Sequence, residues 1–400
     1  MSDSKFNLAL LGGTPLRSTD KTWPIWPQYG AGEREALLDV LDNTNWWYGE
    51  KVRTIEQEFA AYQGAKYCLV CTSGTTALEI CLQAMEIGHG DEVIVPPFTF
   101  VATASAVSRM GATPVFVDID DSWNMDPTKI EAAITPNTKA IIPVHFTGRI
   151  CDMDAINAIA QKHDLLVLED ASHSWGAKWS DGQGAGVLGD CGVFSFQGFK
   201  NLTAGEGGAM VTNNPELAAK MQSYINCGRK EGGVWYEHHN VGTNARLGEF
   251  QAALLSAQLK HLPEQQATRI RNGEILDEEL SKIEGITPQP VDPRQTQHSR
   301  HIYCIRVDQE SFGCSRERML EALNAEGVPV DAAYPLPLYK QPVYAKTGQY
   351  DDVSCPVCEE LCYNSAIWIT HQHLLGSESD MEDIIAIFQK VKDNVNELSN

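Results

Sequence analysis

From residue 67 onward, short apolar runs alternate with segments of helical spacing. The runs at 67–71, 91–96, 114–118, 140–145 and 165–170 predict strands. The segments between them, 77–84, 98–110, 128–134 and 153–163, predict helices. Strands that are apolar throughout, separated by helices, mean a mostly parallel sheet covered on both faces. Upstream, helical spacing appears at 32–43 (Ala36, Leu37, Val40, Leu41) and 52–62 (Ile55, Phe59). Downstream, a helix is predicted at 215–225, then a long one over 247–280, interrupted near Pro263. A strand at 301–307 and helices at 316–325, 356–365 and 381–395 predict a smaller α+β domain. The pattern divides the chain into an irregular arm (1–30), a large domain (31–260) and a small C-terminal domain (261–400).

Ligands of such sheets sit at the carboxyl ends of the strands. Three groups fall there. Between 192 and 211, a short strand leads to a polar loop holding Lys200, then Gly205-Glu206-Gly207-Gly208 and a second strand. A desolvated lysine has a lowered pKa and can form a Schiff base with an aldehyde. The same residues also read as a hairpin with a surface lysine. Ser73-Gly74-Thr75 opens a helix, either as a plain cap or as an anion site on free N–H groups. Asp170 ends a strand, either capping a turn or pairing with a cationic ligand. Phe100 follows another strand and is by default a core residue.

The chain of 400 residues has a net charge of -22, which argues against nucleic acid and acidic membrane surfaces as partners. No run approaches the roughly 20 apolar residues of a membrane span, and residues 1–6 do not open a signal peptide. A cytoplasmic protein is expected. Eleven cysteines lie scattered through apolar segments, as buried reduced thiols do. Cys355, Cys358 and Cys362 have no second pair at ligand spacing, and His238-His239 reads as loop surface, so no metal is expected.

An aldehyde cofactor carrying a phosphate and a pyridine nitrogen needs an amine, an anion site, a carboxylate and a flat apolar face. Pyridoxal 5'-phosphate is that cofactor, and Lys200, Ser73-Gly74-Thr75, Asp170 and Phe100 supply the four. The motifs 72–78, 90–96, 99–103, Glu169-Asp170 with His173 and Gly176, and Ser195-Phe196-Gln197 through Lys200 to Gly208 carry a resemblance. So do Asn244-Ala245-Arg246, Gln251-Ala252-Ala253 and Cys355-Pro356-Val357. From about Trp23 to Phe388 the chain resembles the DegT/DnrJ/EryC1/StrS family of sugar and cyclitol aminotransferases. The resemblance implies fold type I, the aspartate aminotransferase fold, and a homodimer with shared active sites. It implies that Lys200 holds the cofactor and shuttles protons, and that Asp170 pairs with the ring nitrogen. Phe100 would stack on the ring, and Gly74, Thr75 and Ser195 would hold the phosphate, joined by Asn244 of the second subunit. His173 would stand near the phenolic oxygen, and Ser73 and Gln197 complete the cofactor-binding set.

Lys200 argues against relatives that carry histidine there and act as dehydratases. Trp23-Pro24-Ile25-Trp26-Pro27 and the late segments 368–371 and 374–376 resemble the branch acting on keto-cyclitols such as scyllo-inosose, with glutamine as donor. That branch also contains aminohydroxybenzoate synthase. The reaction expected is transfer of an amino group from L-glutamine or L-glutamate to a keto-cyclitol or keto-sugar; the alternatives are an aminotransferase of nucleotide-linked keto-sugars and a non-catalytic regulator of the same fold.

Overall fold

The computed structural model describes residues 7–43 and 45–398; the residues read above for a signal peptide lie outside this set. The chain divides into two compact units. The larger comprises Pro27–Glu264 and Val291–Ser299, and the smaller comprises Met1–Trp26, Gln265–Pro290 and Arg300–Asn400.

In the larger unit, α1 (Ala31–Asn43) and α2 (Glu50–Gln63) precede the first strand, β1 (Tyr67–Cys71). Then come α3 (Gly74–Ala84), β2 (Glu92–Val95), α4 (Ala102–Arg109), β3 (Thr113–Phe116), α5 (Ile130–Ala133) and β4 (Thr138–Ile141). After α6 (Met153–His163) and β5 (Leu166–Asp170), β6 (Cys191–Ser195) and β7 (Gly208–Thr212) flank the loop bearing Lys200. α7 (Pro215–Ile225) follows, and α8 (Glu249–Leu280) begins in this unit and ends in the smaller one.

The seven strands lie in the order β1-β7-β6-β5-β4-β2-β3. β6, β5, β4, β2 and β3 pair parallel, while β7 is antiparallel to both neighbours. Two reversals restore direction, so β1 runs with the parallel set. The carboxyl ends of β1, β2, β5 and β6 therefore lie along one edge of the sheet. Ile94, Ile141, Val167, Phe194 and Val211 are buried in the core around the sheet. Each such side chain contributes roughly 1.5–3 kcal/mol.

Several expectations shift. The helix expected over 98–110 begins only at Ala102; Phe98 instead packs edge-on against Trp123 and Phe146, with centroids 5.6 and 5.1 Å away. β4 stops at Ile141, because Pro143 has no N–H for the ladder; its carbonyl accepts from the Asp170 N–H instead. The segment 128–134 forms a 3-10 turn and then the single turn α5. α8 runs unbroken through Pro263. Leu259 and Leu262 beside the proline are buried, so packing holds the helix across the missing hydrogen bond.

The smaller unit has a second sheet of β8 (Ile286–Pro288), β9 (Ile302–Val307), β10 (Asp331–Ala332) and β11 (Ala366–Thr370). Its order is β10-β11-β9-β8, antiparallel throughout. α9 (Gln309–Phe312), α10 (Arg316–Glu326), α11 (Pro342–Ala345), α12 (Pro356–Glu360) and α13 (Glu378–Asp393) accompany it. The helix expected over 356–365 is α-helical only to Glu360 and then widens into a π-helix over Leu361–Ser365.

The arm expected over 1–30 does not stand alone. Leu8 is fully buried in the core of the smaller unit. Arg17 reaches Asp380 and Asp383 of α13 at 2.8 and 2.6 Å, with its guanidinium 3.6 Å from the centroid of Trp23. Among the described residues no helix is long and apolar enough to cross a membrane, and no group of His, Cys, Asp or Glu side chains is arranged to hold a metal.

Candidate active site

Two glycines explain how an anion cradle is built at the strand ends. β1 ends at Cys71, and Ser73 caps α3, its Oγ accepting from the Thr76 N–H at 3.1 Å. The Ala77 N–H bonds to the Ser73 carbonyl. The N–H groups of Gly74 and Thr75 then have no partner inside the helix, and they lie at its positive end. A Cβ on Gly74 would sit 2.8 Å from Ser195 Cβ, and one on Gly208 would sit 2.4 Å from the Ser73 carbonyl oxygen. Only glycine lets the α3 N-terminus approach the ends of β6 and β7 so closely. Ser73, Gly74, Thr75 and Ser195 are thus brought together beside a helix N-terminus, which suits a phosphate.

The loop after Ser195 holds Lys200. β6 and β7 do form a hairpin, as one reading of the sequence had it, with Ser195 opposite Gly208. The lysine, however, is not on the surface. Burial lowers its pKa from 10.5 to about 8, against an opposing pull from Asp170. Its Nζ lies 6.0 Å from the centroid of Trp175, and it forms no ion pair among the described residues. Gln197 shapes this loop. Its carbonyl accepts from the Lys200 N–H at 2.9 Å, and its side-chain oxygen accepts from the Phe199 N–H at 2.9 Å.

Asp170 ends β5 one strand away, where it pairs in register with Val193 of β6. Its Oδ2 accepts from Thr103 Oγ1 at 2.8 Å and its Oδ1 from the Ser172 N–H at 3.2 Å. His173 follows, with Nδ1 accepting from the Thr147 N–H at 3.3 Å. An imidazole that accepts at Nδ1 carries its proton on Nε2. Burial first, then the nearby Lys200, hold the His173 pKa well below its ordinary value, so the ring is a neutral donor. Thr147 makes this contact from a left-handed backbone, φ 63°.

Phe100, by default a core residue, is 59% exposed at the carboxyl edge of β2. Its apolar face is available to a flat ligand. Asn244 is exposed, and its backbone bridges Asn226; no hydrogen bond among the described residues joins its side chain to the other site residues.

Sequence reasoning missed three supports. Thr103 lies within the motif 99–103, where nothing local marks it as a carboxylate partner. Glu169 stands in the sequence only as part of the motif with Asp170. On a strand, alternate residues face opposite sides, so Glu169 points away from Asp170. It accepts from the Gly186, Leu188 and Gly189 N–H groups and meets His145 Nε2 at 2.7 Å. The Cys151 N–H donates to His145 Nδ1, so the proton between His145 and Glu169 belongs to the imidazole. The fully buried His145–Glu169 pair thereby pins two loops behind β5, the strand that bears Asp170. Thr147 was not singled out at all.

An amine of lowered pKa, an anion cradle of small residues and an anchored carboxylate fit a phosphorylated pyridine aldehyde. Residues 27–389 match the DegT/DnrJ/EryC1/StrS aminotransferase family. An L-glutamine:2-deoxy-scyllo-inosose aminotransferase of Streptoalloteichus tenebrarius is 38% identical over 418 residues, covering 96% of this chain and 97% of that protein. A UDP-N-acetyl-3-dehydro-alpha-D-glucosamine 3-aminotransferase of Acidithiobacillus ferrooxidans is 43% identical over 326 residues, covering 80% and 84%. The crystal structure of 3-amino-5-hydroxybenzoic acid synthase is 37% identical, covers 94% of this chain and 99% of its own, and superposes with a TM-score of 0.86. The fold is that of the type I aminotransferases, and the chain belongs to the DegT/DnrJ/EryC1/StrS aminotransferase family.

Proposed function

We propose that the protein uses pyridoxal 5'-phosphate to move an amino group from L-glutamine or L-glutamate to a ketone on a polyhydroxylated ring, a keto-cyclitol of the scyllo-inosose type. The carrying observation is Lys200, a half-buried lysine with its pKa lowered to about 8, on a loop bounded by an anion cradle and beside the strand that ends in Asp170. When bound, the cofactor supplies an electron sink for breaking the bond between the α-carbon and its hydrogen. Lys200 would hold the cofactor through its aldehyde group, and its Nζ would carry the proton taken from the substrate. A lysine shifted toward neutrality is suited to act as general base near pH 7–8. Asp170 would keep the ring nitrogen protonated, and His173 would donate from Nε2 to the ring oxygen. Gly74, Thr75 and Ser195 hold the phosphate, with Ser73 capping the helix behind them, Gln197 shaping the Lys200 loop and Phe100 covering the ring.

We further propose a homodimer, in which Asn244 serves the partner's phosphate. An apolar groove of about 530 Å³ lined in part by Pro27, Tyr29, Leu37, Leu38, Ala204 and Leu254 is consistent with a face covered by a second copy. A cytoplasmic site of action is consistent with eleven free cysteines, nine of them buried. A nucleotide-linked keto-sugar is the second reading, favoured by the 43% identity to the UDP-sugar enzyme.

Turnover against a panel of keto-cyclitols and nucleotide keto-sugars, each with both donors, decides the acceptor. Lys200→Ala should lose both the visible absorbance of the lysine-bound cofactor and all transamination. Full turnover by that variant would make Lys200 structural and sink the reading.

A further inference from the structure

We propose that Thr103, with Thr99 behind it, is a positioning residue that aims the Asp170 carboxylate at the cofactor ring nitrogen and ties it to the turn carrying Phe100. This rests on the reading of Asp170 as the ring-nitrogen partner. A threonine in a helix ordinarily returns its hydroxyl to a carbonyl four residues back. Thr103 Oγ1 instead donates to Asp170 Oδ2 at 2.8 Å, 67 residues away in the chain. Thr99 Oγ1 lies 3.1 Å from Thr103 Oγ1. A hydroxyl has one proton, and an ionised carboxylate only accepts. The donor order is therefore Thr99 to Thr103 to Asp170, a chain in which each bond polarises the next.

All three residues are buried; Thr103 is 0% exposed. The bonds do not compete with bulk water there. Asp170 Oδ1 is held separately by the Ser172 N–H. With one donor on each oxygen the carboxylate plane cannot turn, and each oxygen keeps a lone pair for a ring N–H. The Thr103 N–H also bonds to the Phe100 carbonyl at 3.2 Å. One residue thereby links the group that pairs with the ring nitrogen to the group that covers the ring face.

The test uses cofactor-stripped full-length protein titrated with pyridoxal 5'-phosphate and with its deaza analogue, in which C–H replaces the ring nitrogen. Thr103→Val is expected to weaken binding of the natural cofactor about tenfold and to leave the analogue within about twofold. Thr103→Ser, which keeps the hydroxyl, should bind both as the wild type does. Thr99→Val should fall between them. If Thr103→Val weakens both ligands alike, or neither, the positioning role is overturned. Asp170→Asn separates the two possible failures. If it too treats both ligands alike, the Asp170 assignment is wrong and the proposal falls with it. If it discriminates while Thr103→Val does not, only the positioning role fails.

Discussion

Replacing Lys200 with methionine should make the cofactor-stripped protein more stable. Methionine has similar length and carries no charge. Burial pulls the Lys200 pKa from 10.5 to about 8, the nearby Asp170 carboxylate already included. That gap corresponds to about 3 kcal/mol. The folded pKa lies below the unfolded one. Below pH 8 both states hold the proton, and the folded state bears the full cost of a buried charge. Between pH 8 and 10.5 the unfolded chain binds a proton that the folded chain does not, so stability rises with pH. Above 10.5 the cost has gone. Lys200→Met has no such cost at any pH. Urea unfolding of both stripped proteins from pH 7 to 10.5 measures the difference, and other titrating groups cancel. The variant should be about 3 kcal/mol more stable at pH 7, with the advantage shrinking steadily above pH 8. No advantage at pH 7, or one that does not change with pH, would refute a desolvated amine. The expected gain comes with lost activity, as when a strained catalytic group is traded for stability.

Two further outcomes test the cradle and the assembly. Gly208→Ala places a Cβ 2.4 Å from the Ser73 carbonyl oxygen and should cost about 1–3 kcal/mol along with cofactor affinity; an unchanged melting temperature and dissociation constant would refute the close approach. Mixing Lys200→Ala chains with Asn244→Ala chains should restore up to about half the activity per dimer, because one site then carries both defects and the other neither. Verified chain exchange without recovery would refute a shared site.

Local patterns were enough for much of the fold and site. Apolar runs such as Leu166–Asp170 and Cys191–Ser195 form strands because every side chain on them is wanted inside. Lys200, Asp170 and Ser73 could be picked out because strand ends in such sheets face ligands. Whatever depended on a distant partner was illegible. The antiparallel pairing of β7 with the distant β1 is encoded by no local period. β8 and β10, at three and two residues, exist only through their neighbours. Pro263 predicts a break, yet buried leucines hold α8 together. Phe98 and Phe100, two residues apart, look alike in sequence, yet one is 1% and the other 59% exposed. Side-chain type and spacing suffice for the buried strands β1 to β6, for most of the helices and for the chemical identity of the site groups. The Thr103–Asp170 bond, the approach of Gly208 to Ser73 and the desolvation of the Lys200 amine arise in the folded chain alone, because each depends on atoms brought together from far apart.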